Sequence, residues 1–139
     1  ELTVSAYLLN YARDRNELQA MCDGIARSLK PGGRFVTVNC SPLLEFPSAP
    51  SYREFGFETS VVGPWREGAP IQWKFFLGDS TFELENYHLS VATHEECPRD
   101  AGFRDVRWHA PQLSPDAGAE GDWSVFLNAS PVAFIECTK

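Results

Sequence analysis

Three imidazoles can exchange protons near neutrality in this sequence: His88, His94 and His109. Imidazole titrates close to physiological pH, so each must be weighed as an acid or base. His88, at the end of a run of β-forming residues, is the one candidate for a general base, and the sequence supplies it with no partner. His94 reads as the first residue of a helix and His109 as a strand or surface residue. Cys22, Cys40, Cys97 and Cys137 are widely spaced, with no C-x-x-C pair and no zinc-ligand spacing to a histidine. No metal site is expected. Free thiols in a reducing cytoplasm are the expected state, and spacing alone leaves open a pair that meets in space. Trp73, Phe75, Phe82 and Tyr87 can line an aromatic pocket for a flat heterocycle, or pack a hairpin onto a sheet.

The chain that must position these groups has 139 residues, 43% of them hydrophobic and 13% aromatic. That suits one domain with a packed core. Its formal charge of −7 argues against a nucleic-acid partner, because phosphate binding needs clustered Lys and Arg. No apolar run approaches the roughly 18 residues of a membrane span, and no secretory signal is visible. A cytoplasmic protein without membrane partners is expected.

Leu2–Leu9 is a mostly apolar run that reads as a buried strand. Asp14 with Glu17 forms a capping pair for a helix whose Leu18, Met21, Cys22, Ile25 and Leu29 make one apolar stripe. Arg27 and Lys30 suit the negative end of its dipole. Pro31 ends the helix, and Gly32-Gly33 allow a two-residue reversal into a strand at Arg34–Cys40. Strand, helix, strand predicts two parallel strands joined by a right-handed crossover. Pro42, Pro47, Pro50, Pro64 and Pro70 mark a long loop, of the kind that serves as a lid. Gly78-Asp79 divides two β-forming runs and predicts a hairpin over Ile71–Ser90. Thr93 and Glu96 read as a capping box for a short helix from His94 to about Ala101, perturbed by Pro98. A strand at Phe103–Ala110, a polar loop over 111–121, one helical turn at Trp123–Asn128 and a last strand at Pro131–Thr138 follow.

The run YLLNYARDRNELQAMCDGIARSLKPGGRFVTVN, from Tyr7 to Asn39, resembles the second half of class I S-adenosylmethionine-dependent methyltransferases. There "LKPGGRF" joins the helix after the fourth strand to the fifth strand. THEECPRDAGFRDVRW, from Thr93 to Trp108, resembles the next helix and sixth strand, and PVAFIEC, from Pro131 to Cys137, the seventh, antiparallel strand. The aromatic hairpin and the tail look most like small-molecule enzymes of the toxoflavin-synthase type. The resemblance implies an α/β fold: a partial Rossmann-like methyltransferase sheet, with strands equivalent to 4-5-7-6 and the last antiparallel, carrying an inserted aromatic β-hairpin. Residues 1–139 would be one partial domain, with 41–92 inserted as a lid and substrate cap.

The family's glycine-rich cofactor loop and the acidic residue that binds the ribose precede the point where this chain starts, and no G-x-G-x-G occurs in it. The chain would therefore be a C-terminal half, inactive alone, with S-adenosylmethionine as cofactor of the complete enzyme. In that enzyme the backbone around Ala6 and Tyr7, with Leu8 beside it, would face the methionine part of the cofactor, or else be strand-end packing. Ligands of open α/β sheets bind beyond the C-terminal strand ends. Asn10, Tyr11, Asn39, Trp73 and Tyr87 are thus the substrate-binding candidates. The place after the first strand lacks both the Pro-Pro-aromatic signature of nucleic-acid amino methylation and an acidic metal ligand. A metal-independent enzyme for a small N or O nucleophile is the expectation. Two alternatives stand beside it: a non-catalytic α/β ligand- or protein-binding module, and an unrelated α+β fold. Without its neighbour, the first strand would be an exposed apolar edge and a route to homo-oligomers.

Overall fold

The computed structural model describes residues 1–115 and 121–139. Of the polar loop expected at 111–121, residues 116–120 lie outside the described residues. The elements run β1 (Leu2–Ala6), α1 (Arg15–Ser28), β2 (Arg34–Cys40), β3 (Phe57–Val61), β4 (Pro70–Leu77), β5 (Ser80–Tyr87), α2 (Val91–Asp100), β6 (Arg104–His109), α3 (Ser124–Asn128) and β7 (Val132–Thr138).

The main sheet has the order β1-β2-β7-β6. β1 and β2 are parallel, in register from Leu2 opposite Arg34 to Ala6 opposite Val38. That pairing rules out the unrelated α+β fold. β7 runs antiparallel to both β2 and β6. The order and the antiparallel last strand are those expected of the 4-5-7-6 part of a Rossmann-like methyltransferase sheet. Its regularity lapses once, in β6, where the register shifts between Arg104 and Arg107 and Asp105 takes a φ of 54°.

The helix joint forms as its residues dictate. The Asp14 side chain caps α1 by accepting from the N–H groups of Asn16 at 2.8 Å and Glu17 at 3.0 Å. Glu17 returns the interaction, accepting from the Arg13 N–H at 2.9 Å. Leu18, Cys22, Ala26 and Leu29 turn inward onto Phe35 of β2 and Cys137 of β7, with Cys97 of α2 and Phe103 completing the core. At the joint Gly32 takes a φ of 80° and donates to the Lys139 carbonyl at 2.7 Å. The Lys139 ammonium turns back onto the carbonyls of Ala26 and Leu29, the end of α1 where cations are favoured.

Three elements differ from expectation. β1 stops at Ala6 rather than Leu9. Tyr7 adopts a left-handed φ of 56° while its N–H still reaches the Val38 carbonyl at 2.8 Å. The chain then winds into a 3-10 turn, Leu9–Tyr11, that buries Leu9. The long proline-marked loop holds further structure: 3-10 turns at Phe46–Ser48 and Arg53–Phe55, and the strand β3. β3 forms because Phe57 is buried, stacked on Tyr52 at a centroid distance of 5.2 Å. The expected hairpin β4–β5, turning at Gly78-Asp79, is therefore two-thirds of a three-stranded sheet, β3-β4-β5. Finally, α2 is capped by Ser90, whose hydroxyl accepts from the Thr93 N–H at 3.3 Å, and not by Thr93. Glu67, far away in sequence, takes the Ser90 N–H at 3.0 Å and the Thr93 hydroxyl at 3.0 Å. It does what a capping-box glutamate would do, while Glu96 turns to Arg15 of α1 at 3.3 Å.

A second core lies between the C-terminal end of β2 and the smaller sheet. Cys40, Phe46, Tyr52, Phe57, Ile71 and Trp73 are buried there. On the main sheet, Leu2 and Val4 of β1 are 57% and 65% exposed. No helix among the described residues is long and apolar enough to cross a membrane.

Candidate functional site

The two sheets meet over the C-terminal ends of β1 and β2 and leave a cavity of about 380 Å³ between them. That lies within the usual range for small-molecule sites, roughly 300–1,000 Å³. Ala6 and Tyr7, at the end of β1, form one wall with Tyr11 from the 3-10 turn and Cys40 from β2. The smaller sheet supplies the roof. Its two-residue turn sets Trp73 opposite Leu84, Ile71 opposite Asn86 and Phe75 opposite Phe82, and the β3–β4 pairing sets Phe57 opposite Phe75. Of these, Phe57, Trp73, Phe75, Leu84 and Asn86 line the cavity, and Phe126 of α3 closes a side. Trp73 and Phe75 are stacked, as are Phe75 and Phe82, at centroid distances of 6.1 and 4.7 Å.

Among the described residues, no ionised side chain lines this space. Burial pushes the Cys40 thiol up to about 12, so it is neutral at pH 7 and donates to the Asn86 Oδ1 at 3.5 Å. Burial, with the nearby Cys40, also raises the Tyr7 phenol above its ordinary value. Two buried donors on the roof have no partner among the described residues: the Asn86 Nδ2 and the Trp73 Nε1. The left-handed Tyr7 is a strained conformation for a non-glycine residue, costing on the order of 1–3 kcal/mol. It lies where β1 opens onto the cavity.

The residues singled out in the sequence separate into groups. Ala6, Tyr7, Tyr11, Trp73 and Phe75 converge on the cavity, while Phe82 stacks on Phe75 outside its lining. Leu8 lies outside it and is exposed. Asn39 is buried in β2, donating its Nδ2 to the Thr37 hydroxyl at 3.2 Å. Asn10 is buried as well, and its Oδ1 accepts from the Cys40 N–H at 3.4 Å. It braces the strand end from behind. Tyr87 donates to Glu85 at 2.6 Å and lies under the Arg13 guanidinium, 5.8 Å from its ring centre.

His88 stacks on Trp65 with ring centroids 3.9 Å apart. Burial lowers its pKa, with Glu67 and Glu45 opposing that change, so it is neutral at pH 7. It lines a separate, narrow space of about 10 Å³ shared with Asn10, Tyr87 and His94, room for about one water. His94 is not the first residue of a helix but lies inside α2, 4% exposed, its Nδ1–H donating to the Ser90 carbonyl at 3.0 Å. His109 is exposed on β6, 3.2 Å from Glu136. All four cysteines are buried and unpaired.

Sequence reasoning passed over Cys40, Asn86, Phe57, Leu84 and Phe126. For Leu84 and Asn86 a signal existed: counting back from Gly78-Asp79 sets both on the Trp73 face. An asparagine on an otherwise apolar strand face is the kind of buried polar residue that carries information.

No family profile and no curated protein matches this chain. Solved structures do. A Listeria monocytogenes protein assigned as an S-adenosylmethionine-dependent methyltransferase superposes with a TM-score of 0.60 at 19% identity, over 99% of this chain and 60% of its own. The methyltransferase CcbJ of Streptomyces caelestis gives 0.61 at 13% identity, over 99% of this chain and 59% of its own. CalS10 of Micromonospora echinaspora, an amino pentose methyltransferase solved with S-adenosylmethionine bound, gives 0.52 at 12% identity, over 97% and 57%. The chain thus spans about 60% of the length of the first of these and has, over that span, the fold of the S-adenosylmethionine-dependent methyltransferases.

Proposed function

We propose that the protein transfers a methyl group from S-adenosylmethionine to a nitrogen or oxygen of a small, flat molecule, and that this chain is the C-terminal half of the enzyme. The observation that carries this reading is the apolar cavity at the strand ends, roofed by aromatic rings. Open α/β sheets bind their ligands at this end.

The cofactor's part fits this chain only at one edge. Ala6 offers a small side chain and Tyr7 a turned backbone beside the cavity, suited to the methionine end of the cofactor. Among the described residues no carboxylate lines the cavity, and the reading assigns the ribose end to the part of the fold that this chain does not span. The chain alone is then inactive. When bound, the cofactor supplies a methyl already activated on sulfur, and the protein's task is alignment.

The residues present suit that task. The stacked roof holds a planar acceptor and excludes water, and Tyr11 closes the wall beside it. With no ionised group among the described lining residues, those residues offer no strong base at the cavity. The acceptor is then an amine, a ring nitrogen or an acidic hydroxyl that needs little help losing its proton. This matches metal-independent chemistry of the toxoflavin-synthase type. A cytoplasmic setting, where buried thiols stay reduced, accompanies the reading, and 41–92 acts as the substrate cap.

The exposed β1 edge pairs with another strand, from the remainder of the enzyme or from a second copy. The upstream reading frame tests the proposal: a strand followed by a glycine-rich loop supports it, and an unrelated domain refutes it. The apolar, uncharged lining among the described residues also suits a binding module without turnover. Release of S-adenosylhomocysteine by the intact gene product would exclude that reading.

A further inference from the structure

We propose that Asn86 makes the cavity selective for a neutral ligand with a hydrogen-bond acceptor, a carbonyl oxygen or an unprotonated ring nitrogen, set in a flat apolar body. The inference rests on reading the cavity as the acceptor site.

Asn86 is 3% exposed and lines the cavity from β5. Its two polar atoms are not equivalent. The Oδ1 is committed to the Cys40 thiol at 3.5 Å. Cys40 is itself held at the end of β2, its N–H donating to the Asn10 Oδ1 at 3.4 Å. A thiol is a donor and only a weak acceptor, so it fixes the amide with oxygen toward sulfur and nitrogen away from it. The Nδ2 is then a buried donor with no partner among the described residues. The Trp73 Nε1, on a ring of the same roof, is in the same condition.

Buried donors are almost always satisfied, so unpaired ones at the wall of a cavity point to a ligand that accepts. A cation would face two donors and, among the described residues, no anion. A purely apolar ligand would leave both donors unpaired. An anion would meet no positive charge, since no ionised side chain among the described residues lines the space. What fits is a neutral planar molecule that stacks between the aromatic rings and offers lone pairs in its plane.

The test uses two probes of matched shape, quinoxaline with two ring nitrogens and naphthalene with none. Binding of each to the intact gene product is measured by calorimetry. The expected result is tighter binding of quinoxaline by on the order of 10–100-fold, the cost of leaving buried donors unpaired. In Asn86→Leu that preference falls by about ten-fold or more, while naphthalene binds at least as well as before. Equal affinities in the unaltered protein, an undiminished preference in the variant, or binding of neither probe at millimolar concentration overturns the proposal.

Should the variant fail to fold, the side-chain amide resonance of Asn86 decides. It shifts on adding quinoxaline and not naphthalene if the proposal holds, and responds alike to both if it fails. Methyl transfer is assayed separately. Selectivity without transfer refutes the methyltransferase reading alone, and transfer without selectivity refutes this inference alone.

Discussion

Replacing Gly68 with alanine should loosen the packing of the smaller sheet against the start of α1, through two separable costs. Gly68 leads into β4 with a φ of 77°, and its N–H donates to the His88 carbonyl at 2.7 Å. A Cβ at this position would sit 2.8 Å from the Arg13 carbonyl oxygen, which belongs to the backbone entering α1. The left-handed conformation alone costs an alanine about 1–2 kcal/mol. The backbone clash adds about 1–3 kcal/mol, the usual cost of overpacking a site that cannot simply rotate a side chain away.

Gly32 supplies the control. Its φ is 80°, and a Cβ there meets nothing within 4 Å. Gly32→Ala should therefore lose only the first part, about 1–2 kcal/mol. Urea unfolding of both variants, with the m-value checked for constancy, measures the difference. Gly68→Ala must be the less stable by about 1–3 kcal/mol. Equal destabilisation would mean that Gly68 does not lie against the Arg13 backbone as described.

Three further outcomes follow from the same contacts. Burial alone would push the Glu67 carboxyl up, but hydrogen bonds from Ser90 and Thr93, with His88 nearby, together hold it below its usual value. A depressed carboxyl stabilises the fold above its unfolded pKa, about 4.3, and that contribution is lost as pH falls through the folded value. The stability gap between the unaltered protein and Glu67→Gln should thus be under about 1 kcal/mol at pH 7, because the group is largely exposed, and should shrink at pH 3. A gap that does not change with pH contradicts the capping role. Val4→Lys should reduce self-association through the β1 edge, read by sedimentation velocity, with little change in melting temperature. A chain that stays monomeric at high concentration before the substitution contradicts that edge. Burial pushes the thiols of Cys22, Cys40 and Cys137 up to about 12 and raises that of Cys97. All four should resist a thiol-specific chromophore until urea unfolds the chain, and rapid labelling of the native protein would refute their burial.

What could be read in advance was what local pattern determines. The stripe from Leu18 to Leu29, the Pro31-Gly32-Gly33 break and the Gly78-Asp79 turn each act over a few residues. They produced α1, the parallel β1–β2 pair and the β4–β5 register. The misses have long-range causes. Nothing near Tyr7 announces a left-handed residue, because tyrosine has no intrinsic preference for it and the β2 backbone holds it there. β3 looked like loop because its flanks are rich in proline, while its burial depends on Tyr52, Phe75 and Trp73 meeting in space. The sequence pointed to Thr93 as the cap of α2, whereas Ser90 caps it and Glu67, twenty-three residues before Ser90, supports it from outside the local pattern. The cavity was legible only in halves: Ala6, Tyr7, Tyr11 and Trp73 could be named, but the Cys40–Asn86 contact that orients its amide joins residues 46 apart.

Release of S-adenosylhomocysteine by the intact gene product, measured across a set of flat heterocyclic amines and hydroxyl compounds, tests the central claim most directly. Turnover is expected with at least one of them, with a fall of about ten-fold or more in kcat/KM for Trp73→Ala and cofactor affinity unchanged. No turnover with any acceptor, or turnover indifferent to Trp73, would contradict it.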